Sequence, residues 1–141
     1  MINMTAIRAG SEADLEAVEA IQRACPEAAH WKPADYLNHD FLVATVGNRV
    51  GGFIVMRSVA PDERELLNLA VAPEYRRNGV ARALWKAAVN GFTGAVYLEV
   101  RDSNQAAINF YKLLTFQEVS RRSGYYEDTG GAAIVMKFHS C

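Results

Sequence analysis

The sequence is poor in the residues that would staple it or arm it with a metal. It has two cysteines, Cys25 and Cys141, far apart and in no Cys-x-x-Cys pair. A disulfide framework or zinc knuckle is therefore not the basis of its fold, and a reducing cytosol is the expected setting. The three histidines, His30, His39 and His139, show no metal-ligand spacing, so no metal is expected. An excess of one charge is missing too, since 15 Lys and Arg face 16 Asp and Glu for a net charge of −1. That balance argues against a surface given over to nucleic acid. No apolar run approaches the roughly 18 residues that cross a bilayer. The opening MINMTAIRAG lacks the basic-then-apolar order of a secretory signal, and no membrane partner is expected. Neither a Gly-x-Ser-x-Gly elbow nor a Walker lysine motif occurs, which disfavours serine hydrolysis and P-loop chemistry. Repeats, low-complexity tracts and Pro/Gly/Ser-rich linkers are also missing.

What is present is material for a core. Half of the 141 residues are hydrophobic, enough for one domain, residues 1–141, and not for two. Met4 to Arg8 reads as a first strand. Ser11 then caps a helix with Asp14 at its third position, and Leu15, Val18 and Ile21 form one apolar stripe. Pro33 starts a short helix ending near Asn38. Phe41 to Val46 and Val50 to Val59 read as a hairpin about Gly47-Asn48. A strand from about Glu65 to Val71 leads through a basic turn into a helix from about Gly79 to Asn90, stopped by Gly91. Ala95 to Val100 is a strand, Asn104 caps a helix through Leu114, and Phe116 to Ser120 and Ala132 to Phe138 are the last strands. The order β-α-α-β-β-β-α-β-α-β-β implies an α/β fold, a mixed sheet of about seven strands with helices on both faces.

The most informative stretch is LLNLAVAPEYRRNGVARAL, Leu66 to Leu84. A strand stops at Pro73, a basic turn follows, and Gly79 opens a helix. Such a junction aims unpaired N–H groups and the positive end of the helix dipole at one point, which suits a pyrophosphate. Arg76, Arg77 and Arg82 add charge, and Asn78-Gly79 leaves the backbone approachable. Two further residues stand out. Glu99 lies in VYLEV, where alternation puts Tyr97, Glu99 and Arg101 on one face. A carboxylate there is either a general base beside a cleft or a surface acid paired with Arg101 or another base. Tyr111 recurs with Ala107, Phe110 and Leu114 at helical spacing. It reads either as a core ring with a wet tip or as a proton donor to a leaving thiolate.

RRNGVA, Arg76 to Ala81, matches the Arg/Gln-x-x-Gly-x-Gly/Ala pyrophosphate signature of the GNAT superfamily of acetyl-CoA-dependent N-acetyltransferases. NQAAINFYKLLTF, Asn104 to Phe116, resembles that superfamily's asparagine-to-tyrosine helix. With SGYYEDTGGAAIVM in the same order, roughly Glu65 to Lys137 resembles the bacterial ribosomal-protein-alanine N-acetyltransferases. HWKPADYL resembles the short substrate-side segment of that family. The resemblance implies acetyl-CoA as co-substrate, no metal, and Glu99 and Tyr111 as general base and acid. It implies that Leu69, Ala70 and Val71 offer backbone groups to the acetyl-pantetheine arm, and that Arg77, Asn78, Gly79, Val80, Ala81 and Arg82 hold the pyrophosphate, with Arg76 at the start of the coenzyme-binding motif. Asn104 also contacts coenzyme A, and Tyr125-Tyr126 clasps the substrate backbone. The implied activity is acetylation of a protein N-terminal α-amine by direct transfer in a ternary complex. The implied partner is a ribosomal protein with N-terminal alanine, in the cytoplasm. The competing readings are acetylation of a small amine or antibiotic, and a non-catalytic acyl-CoA-binding module. Thr115 departs from the family, which usually has glycine at that helix end; a β-branched residue at positive φ is strained. Ala132 stands where the family commonly has Asp, and the connection WKAAVNGFTGAV is short.

Overall fold

The computed structural model describes residues 5–25, 31–123 and 131–140. Seven strands alternate with helices: β1 (Thr5–Ala9), α1 (Leu15–Ala24), β2 (Asp40–Val46), β3 (Arg49–Ala60), β4 (Glu63–Val71), α2 (Val80–Ala88), β5 (Gly94–Arg101), α3 (Gln105–Leu113), β6 (Gln117–Arg122) and β7 (Ala133–Ser140). Short 3-10 turns occupy Glu12–Asp14, Pro33–Asn38 and Pro73–Tyr75. The sheet runs β1-β2-β3-β4-β5-β7-β6 and is mixed, because β4 pairs with β5 in parallel while the other registered ladders are antiparallel. The expected fold class and strand count are those observed.

Contacts divide the chain into two compact units, Met1–Ser58 with Leu66–Gly91 and Val59–Glu65 with Phe92–Cys141. In the first, alternate residues of β3 serve different helices. Phe53 and Val55 join Val18, Ile21 and Cys25 of the α1 region, with Tyr36, Phe41 and Val43, in one buried cluster. One residue before Phe53, at the alternate position, Gly52 lies so close to α2 that a Cβ there would sit 3.2 Å from the Leu84 and Val80 side chains. Helices therefore cover both faces of this part of the sheet. The α1 entry is the expected capping box, with the Ser11 N–H donating to Asp14 Oδ2 at 2.9 Å. Arg8 grips the same carboxylate through both Nη atoms at 2.8 Å. Its guanidinium, above all, holds the Asp14 carboxyl down at about 2.

In the second unit the ladder of β4 with β5 covers Glu63–Ala95, Arg64–Val96 and Glu65–Tyr97, and β7 pairs along β5 from Gly94 to Arg101. Asn104 caps α3 by accepting the Ala107 N–H at 3.2 Å, as its residue type predicts. The other end closes as a Schellman motif: the Phe116 N–H donates to Tyr111 O and the Thr115 N–H to Lys112 O, each at 2.9 Å. The ring of Phe116 lies 5.5 Å from that of Tyr111, the apolar contact that accompanies this motif. Thr115 carries φ of +72°, so threonine does occupy the left-handed position.

Left-handed backbone costs a branched residue about 1–2 kcal/mol, and glycine returns part of that through the freedom of its unfolded chain. Thr115→Gly is therefore expected to raise stability by about 1 kcal/mol, read as a higher urea midpoint at unchanged m. A lower midpoint would show that the Thr115 hydroxyl bond to Leu114 O, at 2.5 Å, outweighs the strain.

Candidate active site

The acyl-CoA candidates of the first unit follow one another along the chain. At the end of β4, Leu69 is half-buried and Ala70 and Val71 are buried. The backbone then turns through Pro73–Tyr75 into Arg76, which is extended. Arg77 (φ +68°) and Gly79 (φ +74°) both adopt left-handed conformations just before α2. The first backbone bond of that helix runs from the Ala83 N–H to Gly79 O, and Gly79 offers no side-chain cap. The amides of Val80, Ala81 and Arg82 thus precede the helical ladder and point out of the helix N-terminus. A Cβ built on Gly79 meets nothing within 4 Å, so the space in front of the turn is open. Arg77, Asn78 and Arg82 are exposed there. Positive φ at a non-glycine residue beside unbonded amides is the geometry of an anion-binding nest.

Arg76 behaves differently from its neighbours. Its Nε donates to Val71 O at 3.4 Å and its Nη2 lies 3.2 Å from Cys25 Sγ. Arg76 thereby ties the turn back to the buried end of α1.

In the second unit, β5 alternates as expected: Val96, Leu98 and Val100 are buried, while Tyr97, Glu99 and Arg101 take the other face. Glu99 Oε1 pairs with Arg122 Nη2 of β6 at 3.0 Å. A paired glutamate was one of the two open readings, and the base that fulfils it is Arg122. The Glu99 side chain is 28% exposed although the residue as a whole is exposed, so its backbone contributes open surface. Tyr111 is half-buried, and its ring sits between Phe110 at 5.6 Å and Phe116 at 5.5 Å. Desolvation pushes its phenol up to about 12, so it keeps its proton through the neutral range. Tyr125 and Tyr126 lie outside the described residues.

Sequence reasoning passed over a buried polar group of the first unit. Tyr36 Oη donates to Gln22 Oε1 at 2.5 Å, and Asn68 Nδ2 donates to Gln22 Oε1 at 3.2 Å and to Tyr36 Oη at 3.1 Å. Gln22 Nε2 donates to Trp31 O at 2.7 Å, and Asn68 Oδ1 accepts the Leu69 N–H at 3.0 Å. The available signal was a lone amide inside LLNLAV. Arg122 was also missed; its signal was the Arg pair three residues before Tyr125. Among the described residues no cluster of three or more His, Cys, Asp or Glu could hold a metal, and no helix is long and apolar enough to cross a membrane.

Comparison with known proteins places these residues in a family context. The acetyltransferase (GNAT) family profile matches residues 11–116. The [ribosomal protein bS18]-alanine N-acetyltransferase of Escherichia coli K12 is 37% identical over 107 residues, 72% of this chain and 70% of that protein. The crystal structure of the ribosomal-protein-S18-alanine N-acetyltransferase from Escherichia coli superposes with a TM-score of 0.82 at 29% identity, over 98% of this chain and 96% of that one. Ard1 from Thermoplasma volcanium gives 0.87 at 31% identity, over 97% and 98%.

If the Arg77–Arg82 turn is the anion cradle, a methyl in its open space should obstruct the ligand. Gly79→Ala is expected to weaken coenzyme A binding at least tenfold in calorimetry, beyond a backbone strain of about 1 kcal/mol seen in thermal melts. A variant that melts earlier yet binds coenzyme A normally would remove the turn from the site.

Proposed function

The chain belongs to the GNAT acetyltransferase family, and from that membership we propose that it acetylates the N-terminal α-amine of a protein, specifically a small-subunit ribosomal protein beginning with alanine. It does so as one domain spanning residues 1–141, by direct transfer within a ternary complex of enzyme, acetyl-CoA and protein N-terminus. The observation that carries the reading is the turn at Gly79, whose uncapped amides and left-handed residues fit a pyrophosphate. Likeness to ribosomal-protein-alanine acetyltransferases over 72% of the chain supports the choice of substrate.

Residues divide the work as follows. Val80, Ala81 and Arg82 donate backbone N–H groups to the pyrophosphate, Arg77 and Arg82 add charge, and Asn78 and Gly79 leave room for it. Leu69, Ala70 and Val71 align the acyl arm, and an N–H near Ala70 polarises the acyl carbonyl as charge develops on its oxygen. Acetyl-CoA supplies the acyl group. Glu99 accepts the proton that the attacking nitrogen loses, directly or through water, as the N–C bond forms and the C–S bond breaks. Tyr111 delivers a proton to the departing sulfur. Asn104 contacts coenzyme A in addition to capping α3, and Tyr125 and Tyr126 clasp the substrate backbone. The substrate chemistry is compatible with one carboxylate. An α-amine with a pKa of about 8 is several per cent neutral at pH 7, whereas a lysine at about 10.4 is below roughly a tenth of a per cent.

Peptides with free and blocked N-termini test the substrate class. Turnover is expected only with the free terminus, and equal turnover of a blocked, lysine-containing peptide, or of a small amine alone, would reject α-amine specificity. Glu99→Gln should lower kcat about 10²-fold or more with coenzyme A binding kept. Full turnover would remove Glu99 from the mechanism.

Tyr111 titrates with its folded value raised, so its protonated form persists below about pH 12. The pH–rate profile should therefore show no loss assignable to Tyr111 up to about pH 11, while Tyr111→Phe slows thiolate release at every pH. An alkaline limb near pH 9 that vanishes in Tyr111→Phe would contradict this assignment.

A further inference from the structure

Arg122, the partner of Glu99, has no role in the reaction just described, and the geometry of the pair suggests one. The two residues are on strands separated by β7. Val135 stands opposite Glu99, and Ala133 stands opposite both Arg101 and Arg122. Residues opposite one another share a face, so Glu99, Val135, Ala133 and Arg122 lie on the same side of the sheet. On β7 between them stand buried Ala133 (0% exposed), opposite Arg122, and half-buried Val135, opposite Glu99. The long Arg122 side chain reaches over that strand to Glu99 while remaining 57% exposed. A cation that sits on a carboxylate oxygen occupies the place any second cation needs in order to touch it. A protein N-terminus, with its pKa of about 8, arrives at neutral pH mostly as such a cation.

We propose that Arg122 is a stand-in for the substrate's α-ammonium. Its guanidinium occupies the Glu99 carboxylate in the free enzyme; the incoming N-terminus displaces it, gives its first proton to solvent, and gives the second to Glu99 as the N–C bond forms. The proposal rests on the reading of Glu99 as the group that receives the amine. Arg122 then governs peptide affinity by competition and takes no part in bond making. Exposed ion pairs of this kind are weak, so the exchange shifts affinity by a factor of about two to five. That is weak enough for a substrate held elsewhere along its backbone to win.

Arg122→Gln keeps most of the reach and removes the charge. With a peptide bearing a free N-terminal alanine, KM is expected to fall about two- to fivefold with kcat maintained, and Arg122→Lys should return KM to the wild-type value. A KM that is unchanged or raised overturns the proposal. So does a fall in kcat that lysine rescues, which would make Arg122 a positioning residue for Glu99. Equilibrium binding of the same peptide supplies the second arm: in a Glu99→Gln background, Arg122→Gln should have no further effect, and an undiminished effect rejects exchange at Glu99. Turnover of Glu99→Gln judges the base, whereas coupling between the two substitutions judges the exchange, so the two readings fail separately.

Discussion

The first unit is organised around three polar side chains sunk in an apolar core. Gln22, Tyr36 and Asn68 are 6%, 1% and 4% exposed, yet no buried side-chain nitrogen or oxygen among the described residues lacks a partner. Leaving one such group unmade costs about 1–3 kcal/mol, so the three must meet in one arrangement or the core loses a large share of its margin. That arrangement fixes three pieces of chain at once. Gln22 belongs to α1, Tyr36 to the 31–38 segment, and Asn68 to the strand that delivers Leu69, Ala70 and Val71. A one-residue slip of β4 would put a leucine where Asn68 meets its partners. Polar burial here specifies register more than it adds stability.

From that fixed strand the chain reaches its two strained places by different logic. At Gly79 the left-handed backbone faces open space, and exposed Arg77 shares that conformation two residues earlier. Left-handed backbone beside amides without helical acceptors is what a ligand-binding turn requires. At Thr115 the left-handed backbone is paired instead with two hydrogen bonds and a ring contact that close α3. Its product is the placement of Tyr111, whose carbonyl and ring both take part in the closure. One turn leaves its amides without helical acceptors, and the other spends its amides on closing a helix.

Much of this could be read from residues alone, for identifiable reasons. The hairpin about Gly47, the capping box at Ser11 and the Asn104 cap are local, because turn and cap chemistry involve residues within four positions of one another. The short helix from Pro33 to Asn38 and the strained threonine were legible on the same ground. What escaped was non-local. Gln22 and Asn68 are 46 residues apart, and no periodicity couples them. Arg76 reads as one more charge around a basic turn until the fold brings Cys25 beside it. Glu99 reads equally as base or paired acid, and its partner lies on a strand two places away in the sheet though 23 residues on in sequence. Spacing can nominate such residues, but only packing assigns their partners.

In the reaction we propose, the chemical demand on Glu99 is modest. Its carboxylate is partly exposed and paired with Arg122 in the free enzyme. For a lysine substrate, neutral at well under one per cent, such a carboxylate would be a poor choice. For a terminal amine already partly neutral, it needs only to collect a proton as the nitrogen becomes acidic during attack. Tyr111 complements it from the opposite direction. With its pKa raised by burial it is a reluctant donor, so in the proposed reaction it would act late, once negative charge has gathered on sulfur. A single carboxylate and a reluctant acid suit an amine that is already partly neutral, and on that ground we prefer an N-terminal substrate to a side-chain one.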